Sequence, residues 1–198
     1  MNNHLEVKPP SDKQIKSVEK AIEYFKQGKM VIIVDDEGRE NEGDLALPAE
    51  DCSPEDINFM ATVARGLICT PLDGSIIDNL ELEPMVTKNT ESMGTAFTVS
   101  VDASEDIESG ISAKDRSNTV KKLSDIKSTS EDFVKPGHIF PLRYQKGGVL
   151  VRAGHTEGSV DLVKLSGKKP AAVICEVMNE DGSMARGNDL KIISEKYN

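Results

Sequence analysis

Six carboxylates and one guanidinium fall within the ten residues Asp35-Asp36-Glu37-Gly38-Arg39-Glu40-Asn41-Glu42-Gly43-Asp44. The run follows directly on the apolar stretch Met30-Val31-Ile32-Ile33-Val34. A strand that opens into so many oxygen donors suits a hard divalent cation. Gly38 and Gly43 bracket the run, so the backbone can turn sharply or let a ligand come close. In extended backbone Glu40, Glu42 and Asp44 share one face, and in a helix Glu40 and Asp44 still do. Either geometry brings two or more carboxylates to one point, although a solvated acidic turn has the same composition.

Other segments carry reactive groups in telling surroundings. In Arg152-Ala153-Gly154-His155-Thr156-Glu157-Gly158 a strand gives way to a helix. Thr156 is the expected cap, and the free amides that follow form an anion site. Arg152 adds a planar fork suited to phosphate, and Gly154 removes a side chain that would block approach. His155 offers a ring nitrogen to a metal. An ordinary capped helix with a surface histidine fits the same residues. His138 lies in Lys135-Pro136-Gly137-His138-Ile139-Phe140-Pro141, a rigid turn before an apolar pair, where a lone histidine is more often structural. Glu176 interrupts the apolar run Ala171–Met178. A carboxylate there needs a partner, and one so placed suits proton transfer, unless it sits on an edge strand facing water. Gly110-Ile111-Ser112-Ala113-Lys114-Asp115-Arg116 is a weaker candidate, since glycine, a capping serine and a basic residue also make a common helix entry.

The elements that hold these groups alternate. Ser11 or Asp12 caps a first helix with Ile15, Val18, Ile22 and Phe25 on one stripe, and Gly28 ends it. Met30–Val34 reads as a buried strand and Asp44–Ala49 as the next. Ser53-Pro54-Glu55-Asp56 opens a helix running to about Ala64, and Gly66–Thr70 returns as a strand. A short helix over Ser75–Leu80, a strand over Phe97–Val101 and a helix over Ser112–Leu123 follow. Gly148–Arg152 reads as a strand, Glu157–Leu165 as a helix and Ala171–Met178 as a strand. Residues 86–96 and 124–147 read as polar loops, long enough to suggest a task. The pattern predicts one α/β (α+β) domain over residues 1–198 with a mixed sheet flanked by helices, residues 1–11 forming a flexible N-terminus.

Composition narrows the partners. The chain carries a formal net charge of -10 with 4% aromatics and no Trp, which disfavours nucleic acid. A phosphorylated small molecule is accommodated only where a few arginines overcome that field locally. No apolar run is long enough to span a bilayer, and Met1–Glu6 lacks the features of a signal peptide. Cys52, Cys69 and Cys175 are odd in number and scattered, without a CxxC pair. Neither a disulfide framework nor a zinc site follows, and the expectation is a cytoplasmic protein with reduced thiols.

Taken together and in order, the segments at 35–44, Gly66–Pro71, Gly94–Val99, Gly110–Ala113, Lys135–Leu142, Arg152–Glu157 and Ile174–Glu176 resemble the 3,4-dihydroxy-2-butanone 4-phosphate synthases of riboflavin biosynthesis. The resemblance runs from about residue 18 to residue 186. It implies a homodimer with active sites near the subunit interface, and two Mg²⁺ or Mn²⁺ ions per site. The implied reaction is a lyase step that takes D-ribulose 5-phosphate to L-3,4-dihydroxy-2-butanone 4-phosphate and formate, through a metal-stabilised enediolate and a skeletal rearrangement. Carried over by position, Glu40 and His155 hold the metals. Arg39, Glu40, Asp44, Arg152, Ala153, Gly154, His155, Thr156 and Glu176 meet the substrate, and His138 and Glu176 are required for activity. Gly38 stands where many members have Asp. The C-terminus is expected to stop before a final strand and helix, and a first domain cut from a bifunctional protein with a GTP cyclohydrolase II partner would look the same. Another metal-dependent phosphosugar isomerase or aldolase, or a silent phosphometabolite-binding module, are the competing readings, and a part for Cys69 stays open.

Overall fold

A computed structural model describes residues 9–197, so most of the expected flexible N-terminus, residues 1–8, lies outside the described residues. Ser11 caps the first helix, α1 (Asp12–Lys26), through a reciprocal box with Gln14. Two strands follow, β1 (Val31–Val34) and β2 (Gly43–Pro48), then α2 (Pro54–Phe59), β3 (Cys69–Leu72) and α3 (Gly74–Asn79). The chain continues through β4 (Val101–Ala103), α4 (Ala113–Ser124), β5 (Phe133–Arg143), α5 (His155–Leu165), β6 (Ala172–Glu176) and α6 (Asn188–Tyr197). The strands form one six-stranded sheet in the order β1-β2-β6-β3-β5-β4. Among the described residues only β3 and β5 pair parallel, so the sheet is mixed, as the alternation predicts.

Alternation along the strands gives the sheet two apolar faces. Leu45, Leu47, Val173, Cys175, Ile139 and Val101 point to one, where Ile57, Met60, Ile77, Val120, Leu123 and Leu190 from α2, α3, α4, α6 and their connections close over them. Ala46, Cys69, Leu142, Ala172 and Ile174 point to the other, packed with Phe25 of α1 and Val163 of α5. Asp44 and Glu176, two residues on from Ala46 and Ile174 along their strands, belong to this second face. That places them beside the N-terminus of α5.

Several boundaries differ from the sequence expectation for identifiable reasons. Met30–Val34 is an edge strand rather than a buried one, and Val34 is 60% exposed. Gly148–Arg152 is no strand: Gly148–Leu150 form a 3-10 turn. Gly147 and Gly148 take φ of 102° and 62°, and Asp161 accepts the Val149 amide and fills the space a Cβ at 148 would need. Residues 124–147 are not a loop but contain β5, whose Pro136, Gly137 and Pro141 obscure its pattern. Gly137 is required there because a Cβ would lie 2.0 Å from the Val101 carbonyl carbon on β4. Phe97 and Thr98 make only isolated bridges, so β4 begins at Val101. The C-terminal segment forms α6, whose Leu190 covers Gly43.

Leu47 is fully buried at the centre of the larger core. Its truncation to Ala is expected to cost about 2–5 kcal/mol in urea denaturation. Leu150→Ser, at a side chain 93% exposed, should stay within about 0.5 kcal/mol of the parent.

Candidate active site

The acidic run turns as it leaves β1. Asp36 caps the turn through the Gly38 amide at 2.7 Å, and the Arg39 amide returns to the Asp36 carbonyl at 2.9 Å. Asn41 takes φ of 54°, which reverses the chain into β2. Asp35 organises the loop from within: its carboxylate accepts the amides of Glu40 at 3.0 Å and Glu42 at 2.9 Å, and Arg39 Nη1 at 2.9 Å. The same Nη1 bonds Glu40 Oε2 at 2.5 Å. From the C-terminal segment Arg186 Nε reaches the Asn41 carbonyl at 2.9 Å and ties the loop to the body.

His155, the first residue of α5, faces this loop. Its Nε2 lies 4.0 Å from Asp35 Oδ1, and its Nδ1 lies 4.0 Å from Glu40 Oε2 and 3.5 Å from Asp44 Oδ1. Ligand atoms of Asp35, Glu40 and His155 all fall within 4.8 Å of one another. Two buried atoms here, His155 Nε2 and Asp44 Oδ1, have no hydrogen-bond partner among the described residues. Orphaned buried polar atoms are costly, and both look onto the same cluster. Carboxylate oxygens with one imidazole nitrogen are a fitting donor set for Mg²⁺ or Mn²⁺.

The electrostatics follow from crowding. Burial raises Asp44 well above the usual carboxylate range, helped by Glu176, Glu40, Glu42 and Asp35. Burial, then Glu40, likewise raises Glu42. Burial works in the same direction on Asp35, yet the amides of Glu42 and Glu40 and the Arg39 guanidinium hold it below its ordinary value. His155 is lowered, chiefly by burial, against the pull of Asp35 and Glu40. A neutral imidazole is the form that ligates a metal.

The β2–β6 register sets Asp44 directly opposite Glu176. Glu176 Oε2 accepts the Leu67 amide at 2.8 Å. Cys69 lies beside the pair on β3, and burial, then Glu176 and Asp44, push its thiol up, so it stays protonated at neutral pH. At α5 the cap is Gly154, not Thr156, which sits inside the first turn with its side chain buried. The first return bond of the helix runs from Gly158 N to Gly154 O, which leaves the amides of His155, Thr156 and Glu157 as helix-start donors. A Cβ at Gly154 would lie 2.3 Å from Arg152 Nη1 and 3.1 Å from Arg39 Nη2, so both guanidinia converge over this glycine, next to Ala153. Arg152 is itself held by Glu157 at 2.6 Å and Thr95 Oγ1 at 3.1 Å.

His138 stands apart from the cluster, in β5 rather than in a turn. Asp102 on β4 accepts its backbone amide at 2.8 Å, and Asp102 Oδ2 lies 2.7 Å from its Nδ1. Gly110 has a left-handed φ of 79° and leaves room for this pair, which a Cβ there would strike. By alternation with Phe140 and Leu142, His138 shares the face of Asp44 and Glu176. Three strand spacings across the sheet, roughly 14 Å, separate it from Asp44. Sequence reasoning missed Asp35 as a cluster member, although it is the first acid after the strand. It also missed Asp102 and Glu157, for which no local pattern exists.

Asp44 yields a pH signature. Its folded-state value lies above the unfolded 3.8, so its contribution is favourable below about pH 4 and is lost as pH rises through the folded value. In EDTA-treated protein Asp44→Asn is expected to raise the melting temperature by several degrees at neutral pH. Below about pH 3 the gain should vanish, because both states then carry a mostly neutral side chain.

The family model described as 3,4-dihydroxy-2-butanone 4-phosphate synthase matches residues 19–198. A "Riboflavin biosynthesis protein RibBA" of Bacillus subtilis is 57% identical over 180 residues, covering 91% of this chain and 45% of the relative. A "3,4-dihydroxy-2-butanone 4-phosphate synthase" of Sulfurospirillum multivorans is 54% identical, with 91% and 50% covered. The chain thus spans about half the length of the curated relatives it matches. A solved 3,4-dihydroxy-2-butanone 4-phosphate synthase "in complex with two Magnesium ions" superposes with a TM-score of 0.87 at 40% identity, over 91% of this chain and 89% of that one. With the fold, the acidic loop and the family model in agreement, the chain belongs to the 3,4-dihydroxy-2-butanone 4-phosphate synthase family.

Proposed function

We propose that this chain is a divalent-cation-dependent lyase that converts D-ribulose 5-phosphate to L-3,4-dihydroxy-2-butanone 4-phosphate and formate. The observation that carries the reading is the convergence of Asp35, Glu40 and His155 with two orphaned buried atoms, His155 Nε2 and Asp44 Oδ1. Glu40 and His155 are the proposed ligands of two Mg²⁺ or Mn²⁺ ions. When bound, such ions polarise a carbonyl and its neighbouring hydroxyl and so acidify the adjoining C–H.

The side chains supply the rest. The helix-start amides of α5, Arg152, Arg39 and Thr156 grip the phosphate and fix the register of the sugar, with Gly154 allowing close approach. Asp44 and Glu176 line the path between the phosphate end and the reacting carbons. Glu176 is the proposed carrier of the proton lost in forming the enediolate, and His138 serves a separate transfer, its Nδ1 side fixed by Asp102. The five-carbon phosphate divides into a four-carbon phosphate and formate with no atom added and no oxidant needed. Several proton movements are needed, which accounts for two proton carriers of different type.

A homodimer belongs to the same reading. Leu67, Ile111 and Val134 are exposed near His138 at one end of the sheet and favour a second copy there. Among the described residues no helix is long and apolar enough to cross a membrane. Free buried cysteines suit the proposed cytoplasmic setting.

Purified protein is expected to release formate from ribulose 5-phosphate with Mg²⁺ or Mn²⁺, and to stop on addition of EDTA. Sugar turnover without formate would assign an isomerase or aldolase instead, and binding without turnover a silent module. Light scattering should give twice the 21.5 kDa chain mass. Asp102→Asn, which keeps the shape but not the charge beside His138, should lower kcat by about 100-fold with melting temperature little changed. A kcat within a few-fold of the parent would remove His138 orientation from the mechanism.

A further inference from the structure

We infer that the backbone N–H of Leu67 is the group that aims the Glu176 carboxylate, and that the turn at Arg65-Gly66 serves to deliver it. The inference rests on the proposed role of Glu176 and asks what keeps that side chain in one orientation. Asp44 stands directly opposite Glu176 in the β2–β6 ladder, and like charges so placed repel. Left alone, the Glu176 carboxylate would swing away from Asp44. The Leu67 amide, 2.8 Å from Oε2, supplies the counter-attraction and leaves Oε1 to meet substrate.

Three local features bring that amide into place. After α2 the chain runs through a π turn over Met60–Ala64, the kind of helix irregularity found frequently at functional sites. Arg65 then takes φ of 68°, a conformation that disfavours any residue with a Cβ. Its guanidinium secures the turn, Nη1 donating to the carbonyls of Val63 at 2.8 Å and Met178 at 3.2 Å, while its backbone bridges to Val177 just past β6. Gly66 lies flat on the Glu176 residue: a Cβ would stand 2.4 Å from the Glu176 carbonyl oxygen and 2.6 Å from Oε2. Only glycine fits between the latched arginine and the donating amide. The metal candidates Glu40 and His155 sit on other elements, so disturbing this turn separates orientation of Glu176 from cation binding.

The test compares Leu67→Pro, which deletes the N–H, with Leu67→Ala, which keeps it and trims a side chain that is 42% exposed. Leu67→Pro is expected to lower kcat by about 100-fold, near the level of Glu176→Gln. Its KM and its Mn²⁺ affinity by titration calorimetry should stay within about 3-fold of the parent. Leu67→Ala should restore the parental split. Independently of how the proline variant folds, the Leu67 amide resonance should lie downfield in the parent and move upfield in Glu176→Gln, where the acceptor loses its charge. An unmoved resonance overturns the inference, as does a Leu67→Pro enzyme with parental kcat or a Leu67→Ala enzyme as impaired as the proline variant. Loss of Mn²⁺ affinity in step with kcat would make the turn merely structural. Full turnover by Glu176→Gln would instead sink the role proposed for Glu176, a separate outcome.

Discussion

Holding like charges together is the problem around which this structure is organised. Asp44 is buried against Glu176, Glu40, Glu42 and Asp35, none of which gains from the company of the others. Isolated burial of one carboxylate is already expensive. What keeps the group assembled is a set of fixed positive ends: the Glu40 and Glu42 amides on Asp35, Arg39 between Asp35 and Glu40, Leu67 N–H on Glu176, and Arg186 on the loop carbonyls. Main-chain donors predominate, and they add no side-chain entropy to the cost of ordering. The loop is therefore shaped by its own backbone before any ligand arrives.

The sheet does the long-range positioning. β2 and β6 come from opposite ends of the chain, yet their antiparallel register places Asp44 against Glu176 to the residue. A one-residue slip of either strand would send its carboxylate to the face covered by α2 and α4. Leu45, Leu47, Val173 and Cys175 on that face forbid the slip, because they would then have to take the place of Ala46 and Ile174 under α5. Core packing thus fixes the geometry of the site. α5 carries the consequence further: Val160 and Val163 anchor its middle, which leaves His155 at its start facing the acidic loop.

Much of this was legible in sequence, and unevenly. The acidic loop, the helix over α1 and the strand at Ala171–Met178 stand out because each has an unbroken local pattern. β5 does not, because Pro136, Gly137 and Pro141 erase its alternation and the reason for tolerating Gly137 is a backbone contact with Val101. The strand expected at Gly148–Arg152 fails for a similar reason: two left-handed glycines and Asp161 turn apolar residues into a 3-10 segment with Leu150 in solvent. Glu40, His155, Asp44 and Glu176 were each nameable by type, and the structure does bring them together. Their partners were not nameable. Asp102 lies 36 residues from His138 and Leu67 lies 109 from Glu176, so only tertiary structure reveals either bond. Thr156 misled for a local reason, since the cap falls two residues earlier at Gly154, where space for the two guanidinia matters more than a side-chain cap.

The same balance of charge bears on how so acidic a protein would take the acidic substrate proposed for it. The net charge is -10, and the two guanidinia over Gly154 are already matched, Arg39 by Asp35 and Glu40, Arg152 by Glu157. Neither brings surplus positive charge to a phosphate. The uncommitted positive ends on the α5 side are the helix-start amides, and a helix terminus carries only about half an elementary charge. A dianionic sugar phosphate lying between those amides and the carboxylates of Glu40, Asp44 and Glu176 would meet net repulsion along most of its length. The proposed divalent ions reverse that balance at the reacting end, where the carboxylates are densest. Under the proposed function, cation and substrate binding would be electrostatically coupled, each lowering the cost of placing the other, before any bond is made or broken.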